Sequence, residues 1–234
     1  MVDQAREAAA VDALRRSPLF GRLDDEALID VASRMARRRY RKGEVIFHEG
    51  DPGDALHLVL SGRIKIGRVS ASGDESIVTS IAPGETFGEL VLLDGAPRSA
   101  TATALEPTET LTLGRPAFAS LVDAGRGFRW ALLSGIAQHQ RRLTDQLAEA
   151  HFLDLAGRLA HQLVRLARET APGQERDVRL GRLYTQTDLA AMIGGTRPRV
   201  NRIIGEFVDL GLIRIETDDL VVVDIQALLR RAEW

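Results

Sequence analysis

The sequence predicts an α+β chain made of an N-terminal antiparallel β jelly roll, a long central helix and a C-terminal winged helix-turn-helix. Three observations carry this. First, short β-rich runs fill the chain from Arg38 to Gly114: residues 44–50, 55–62, 63–70, 75–82, 99–105 and 109–114. Turn residues at Gly50-Asp51-Pro52-Gly53, Gly62, Gly73-Asp74, Pro83-Gly84 and Pro107 separate them, and short strands at near-regular spacing make an antiparallel barrel or jelly roll. Second, a helical segment opens at Gly127 and runs to about His151 with Leu133, Ile136, Gln140, Leu143, Leu147 and Ala150 in 3-4-3 spacing, the seam of a coiled coil. Third, Tyr184 to Ile204 reads as two short helices joined at a glycine turn.

Composition narrows the classes of function. The chain has 234 residues, room for two modest domains, and a net charge of -2, so any binding to nucleic acid must come from a local patch. The absence of cysteine excludes disulfides, thiolate zinc sites and cysteine-held iron–sulfur clusters. The N-terminus lacks the basic-then-apolar order of a signal peptide, and no apolar run reaches the ~18 residues of a membrane span. These features predict a cytoplasmic protein with no membrane partner and no metal site. Walker, HExxH and nucleophile-elbow motifs are all missing, so the reading is not an enzyme and names no catalytic residue.

In chain order, residues 10 to 37 show helical periodicity, followed by the β-rich region to Gly114 and a return to helical period after Pro116. The long helix carries Arg141, Arg142, Asp145 and Glu149 on its other faces, which suit water, so its seam predicts a homodimer, with Gln140 fixing register at some cost in stability. The expected divisions are 1–125 for the sensor domain, 126–153 for the dimerisation helix and 154–234 for the DNA-binding domain. Across its start, residues 152–169 form an amphipathic helix, followed by residues 170–177 as a polar break, and "LIRIE" with "LVVVD" as two short wing strands before a terminal helix.

The helix-turn-helix is legible residue by residue. Thr185 with Asp188 is close to a capping box, Ala190 is small where a second helix approaches, and Gly194 and Gly195 end the first helix. Thr196 can cap the next helix, Pro198 fits its first turn, and Val200, Ile203 and Ile204 supply a buried face. The other face presents Arg197, Arg199 and Arg202 with Asn201, and no acid before Glu206. Arginines near the start of such a helix suit the major groove, where a guanidinium grips guanine with two hydrogen bonds worth roughly 1–3 kcal/mol of discrimination. Candidate DNA-binding residues are Thr185, Thr196, Arg197, Arg199, Asn201 and Arg202.

The stretch "FGELVLLDGAPRSA", residues 87–100, holds a second candidate site. Gly84 and Gly88 let backbone approach a ligand, and a short helix from about Glu89 to Leu93, held on the barrel by Leu90, Leu92 and Leu93, would turn free amides toward an anion. Arg98 offers a charged fork to phosphate and Ser99 a hydroxyl. Glu89 would be repelled by phosphate, so it suits a hydroxyl, and a sugar hydroxyl beside a phosphate points to a nucleotide.

These residues resemble the phosphate-binding cassette of cyclic-nucleotide-binding domains. "FHEGDPGDALHLVLSGRIKI" resembles the strands and turns that precede it, and "FLDLAGRLAHQLV" the helix leading from hinge to DNA-binding domain. Over about residues 15 to 230 the chain is similar to the Crp/Fnr family of bacterial transcription regulators. The resemblance implies that Glu89 accepts the ribose 2′-hydroxyl. Arg98 and Ser99 would hold the cyclic phosphate with the backbone around Gly88, Leu90 and Ala100, and the purine would lie against the long helix near His139, Leu143 and Thr144. It implies cyclic AMP as allosteric effector in place of a cofactor, and as partners double-stranded DNA, a second copy of the chain and RNA polymerase. Two departures stand out. Leu143 cannot hydrogen-bond a base where family members often carry threonine, and Pro198 replaces an acid that usually reads cytosine. Other readings stay open: the same scaffold acting without ligand or sensing cyclic GMP or haem (His48, His57, His139, His151 and His161 are available), or a module regulating a protein partner instead of DNA.

Overall fold

The computed structural model describes residues 2–69, 75–181, 184–217 and 219–232. The turn expected at Gly73-Asp74 lies outside them. Two compact units form: residues 1–68 with 79–142, and residues 69–78 with 143–234.

The first unit opens with helices α1 (Val2–Arg16) and α2 (Asp25–Ser33). Asp24 caps α2 by accepting from the Ala27 amide at 2.9 Å. The helical period expected to run through residue 37 stops earlier, because β1 (Ala36–Tyr40) begins at Ala36. "ARRRY" has no apolar alternation to mark it as a strand. Its arginines are instead anchored across the ladder, where Arg39 and Arg37 reach Glu109 at 2.9 and 3.2 Å. Burial raises the Glu109 carboxyl, but these two guanidinium groups more than offset it and leave the group below its usual range.

The remaining strands are β2 (Val45–Phe47), β3 (Ala55–Ser61), β4 (Ile64–Val69), β5 (Glu75–Ile81), β6 (Thr86–Phe87), β7 (Thr101–Ala104) and β8 (Thr108–Gly114). They form two four-stranded sheets, ordered β1-β8-β3-β6 and β2-β7-β4-β5, the jelly roll expected from the strand spacing. Val59, Ile64, Phe87, Ala102 and Ala104 pack together as one core cluster of the roll. A second cluster joins Leu56, Leu58, Leu111 and Leu113 of the roll to Leu14 and Phe20 near α1, Leu28 of α2, Phe118 of α4 (Arg115–Ala124), and Phe128 and Leu132 of α5 (Arg126–Phe152). The first turns of α5 are therefore fixed on the roll. Of the expected seam, Leu133, Ile136, Leu143 and Leu147 are exposed, Leu147 at 61%.

The second unit packs α6 (Leu155–Thr170), α7 (Gln186–Ile193), α8 (Arg197–Asp209) and α9 (Ile225–Ala232) around one core that includes Leu159, Leu163, Ile203 and Phe207. Asp154 caps α6, its carboxylate accepting from Gly157 N at 2.6 Å. The expected wing strands form as β10 (Ile213–Glu216) and β11 (Asp219–Asp224), but the sheet has a third member, β9 (Arg176–Arg179), in the order β10-β11-β9. Residues read as a polar break thus begin a strand, because the single apolar Val178 is enough to join the core opposite Val222.

Candidate functional site

The cassette residues converge on one side chain. A short helix, α3 (Leu90–Asp94), follows β6, one residue later than expected, with Glu89 at its N-cap. Val91 and Leu92 anchor it, whereas Leu90 and Leu93 are exposed, correcting the expectation that all the leucines face the roll. A helix this short buries only one side. Gly95, left-handed at φ 71°, ends it and turns the chain toward Arg98.

Arg98 is buried to 8% exposure. Its Nη1 donates to the Gly88 carbonyl at 2.7 Å and its Nη2 to the Ala55 carbonyl at 2.8 Å. The guanidinium carbon lies 4.0 Å from the centroid of the Phe47 ring, a cation–π contact. A Cβ on Gly53 would lie 2.5 Å from Arg98 Nε, and one on Gly88 would lie 2.5 Å from Nη1. Only glycine leaves room for the guanidinium at these two points.

Arg98 Nε is buried with no hydrogen-bond acceptor among the described residues. Burial lowers the guanidinium's pKa, and the carboxylates of Asp54, Glu89 and Asp51 oppose that shift through space. A buried N–H left without an acceptor costs about 1–3 kcal/mol, and an anion drawn to Nε would relieve that cost. Beneath it lie three rings. His57 stacks on Phe87 at 4.9 Å between centroids, and Phe47 lies 6.0 Å from His57 and 5.9 Å from Phe87. Burial, then the charges of Arg98 and Arg38, push the His57 pKa down to about 4, so the imidazole is neutral and adds no charge to the site.

Of the expected ligand residues, Gly88, Glu89, Arg98, Ser99 and Ala100 come from one continuous segment around this point; Ser99 is exposed and Ala100 buried. Arg98 differs from the expected free fork, since both terminal nitrogens already hold backbone carbonyls. His139, half-buried on α5, makes no hydrogen bond or ion pair with the cassette among the described residues, and Leu143 and Thr144 are exposed farther along that helix. Sequence reasoning missed Phe47, Gly53 and Ala55. Gly53 was read only as turn punctuation in "GDPGD", although that turn delivers the loop to Arg98. It also missed Arg115, whose Nη2 donates to the Gly53 and Val91 carbonyls at 3.2 and 2.8 Å and so ties the loop to α3.

In the second unit the helix-turn-helix forms as expected. Thr185 and Asp188 make a full capping box: Asp188 N donates to Thr185 Oγ1 at 3.1 Å, and Thr185 N to Asp188 Oδ2 at 2.9 Å. Gly194, left-handed at φ 65°, ends α7. Thr196 occupies the N-cap of α8 but its side chain caps nothing, which departs from the expected role. Val200, Ile203, Ile204 and Phe207 bury one face of α8. Thr185, Thr196, Arg197, Arg199, Asn201 and Arg202 are all exposed, and Arg202 Nε lies 3.5 Å from Glu206 Oε1 one turn on.

Comparison with known proteins agrees with both halves. Residues 37–124 match the cyclic nucleotide-binding domain and residues 157–231 the Crp-like helix-turn-helix domain. A relative from Mycobacterium tuberculosis, the CRP-like cAMP-activated global transcriptional regulator, is 31% identical over 94% of this chain and 98% of its own. The Cyclic AMP receptor protein of Thermus thermophilus is 33% identical over 86% of this chain and 90% of its own. Among solved structures, FixK2 from Bradyrhizobium japonicum shares the fold, with a TM-score of 0.75 at 20% identity over 84% of this chain and 96% of its own. With a jelly roll bearing the cassette and a helix-turn-helix behind a long helix, the chain belongs to the Crp/Fnr family of cyclic-nucleotide-binding, DNA-binding transcription regulators.

Proposed function

We propose that the chain is a homodimeric regulator that binds cyclic AMP in the jelly roll and, when so loaded, a two-fold symmetric operator through α8. The observation that carries the ligand half is Arg98, a buried guanidinium whose Nε lacks an acceptor among the described residues. A phosphate oxygen meeting that N–H supplies a charge-assisted hydrogen bond. Ser99 adds a hydroxyl and Glu89 accepts the ribose 2′-hydroxyl. Cyclic AMP is favoured over cyclic GMP because relatives at 31% and 33% identity are named for it. The base lies near His139, Leu143 and Thr144 on α5. Leu143 offers it an apolar surface, and Thr144 a hydroxyl.

The exposed apolar seam of α5 supports pairing with a second copy. Pairing sets the two α8 helices about one DNA turn apart, roughly 34 Å. Thr185, Thr196, Arg197, Arg199, Asn201 and Arg202 then face the duplex, and Pro198 relaxes the usual demand for cytosine. The nucleotide acts only insofar as it binds one arrangement of the dimer more tightly than the other. RNA polymerase is the partner downstream, and the cytoplasm the compartment; no helix among the described residues is long and apolar enough to cross a membrane.

Selection from a random duplex pool by the full chain, with and without cyclic AMP, tests this. Enrichment of two-fold symmetric sequences only when nucleotide is present is the expected result. Equal enrichment in both arms would remove the gating.

A further inference from the structure

α8 contains a glycine that nothing among the described residues explains. Gly205 sits in the helix interior, exposed, without a left-handed φ, and a Cβ there would meet no described atom within 4 Å. Glycine weakens a helix interior more than any residue except proline. Several other glycines have an internal reason: Gly53 and Gly88 make room for Arg98, and a Cβ on Gly195 would lie 2.9 Å from Leu155 Cδ1, whereas Gly125, Gly127 and Gly135 share the open surroundings of Gly205. For Gly205, inside the helix with the arginine face, we look for the reason outside the fold.

Its position says where. Gly205 lies three residues after Arg202 and four after Asn201, so the three share one helix face. A helix with its side chains is about 10–12 Å across, and the major groove is about 12 Å wide. A helix seated there has almost no slack, and added bulk on the seated face holds it off the DNA. Charge is not what this turn contributes, since Glu206 and Asp209 flank the glycine and Glu206 pairs with Arg202. The geometry points to Gly205 as a close-approach residue: its bare backbone lets a sugar–phosphate strand pack directly against α8 where the helix leaves the groove. Gly127 and Gly135, both on α5, likewise have open space where a Cβ would be, and α5 is the other helix assigned to a partner. The inference rests on α8 being the groove-entering helix.

The test is fluorescence anisotropy of the full chain on a duplex recovered by selection from a random pool, for Gly205→Ala, Gly205→Leu and Arg202→Ala. Gly205→Ala should melt at or above the wild-type temperature, since alanine favours the helix, yet bind the duplex about fivefold more weakly or worse, with Gly205→Leu weaker still. Wild-type binding by both Gly205 variants while Arg202→Ala loses binding would overturn the inference and leave the DNA reading standing. If no variant, Arg202→Ala included, changed binding, α8 would not be the reading helix and both would fall. A lowered melting temperature for Gly205→Ala would also overturn it, by revealing an internal reason for the glycine.

Discussion

Arg98 and Gly88 are fitted to each other: the guanidinium Nη1 donates to the Gly88 carbonyl at 2.7 Å and occupies the space that a Gly88 Cβ would fill. Gly88 also has φ 77°, a conformation that costs an L side chain roughly 1–2 kcal/mol. Gly88→Ala and Gly53→Ala should each displace the guanidinium and weaken cyclic-nucleotide binding by about tenfold or more, the equivalent of ~1.4 kcal/mol. Equilibrium dialysis with labelled nucleotide checks this, and unchanged affinity in either variant would mean the guanidinium is not held where ligand binds.

His57 makes stability depend on pH. An unfolded histidine titrates near 6.5, whereas His57 in the fold is held to about 4. Between those values the unfolded chain takes up a proton that the folded chain refuses. The stabilisation is therefore complete above pH 6.5 and is lost as pH falls toward 4, by about 3 kcal/mol in all. His57→Phe, which keeps the stack on Phe87, should lose less stability over this window than wild type. Parallel melting curves from pH 7 to 4 would show that His57 is not the group responsible.

The α5 seam should hold two copies together. Leu143→Glu with Leu147→Glu places like charges along both facing stripes, and sedimentation should shift from dimer to monomer. A monomeric wild type would overturn the dimer, and a variant that remains dimeric would place the interface elsewhere.

Thr185 and Thr196 precede α7 and α8, but only Thr185 caps through its side chain. Thr185→Ala should destabilise the chain by about 1 kcal/mol, whereas Thr196→Ala should stay within about 0.5 kcal/mol of wild type. Chemical denaturation of both variants separates them, and equal losses would contradict the difference in capping.

What the sequence revealed and concealed follows from how each feature is encoded. The capping box, the left-handed Gly194 and the jelly-roll strands were legible because each depends on residues within a few positions of one another. β1 and β9 were not, since "ARRRY" and "RDVR" lack the apolar alternation of a strand and owe their place to partners such as Glu109 and Val222 far along the chain. At the ligand site, Arg98 could be picked from its own segment. Phe47, Gly53 and Ala55 could not, because they meet Arg98 only when the loop after β2 pairs its backbone with the Arg98 segment, Gly50 N donating to the Arg98 carbonyl and Arg98 N to the Asp51 carbonyl. Nor does any local pattern show that a guanidinium is buried with one N–H left over.

The most direct measurement is titration calorimetry of the purified chain with cyclic AMP, beside Arg98→Leu shown to be folded by circular dichroism. Saturable heat for wild type and none for the variant is the expected result. Indistinguishable isotherms, or no binding by the wild type, would contradict the assignment of Arg98 as the phosphate anchor.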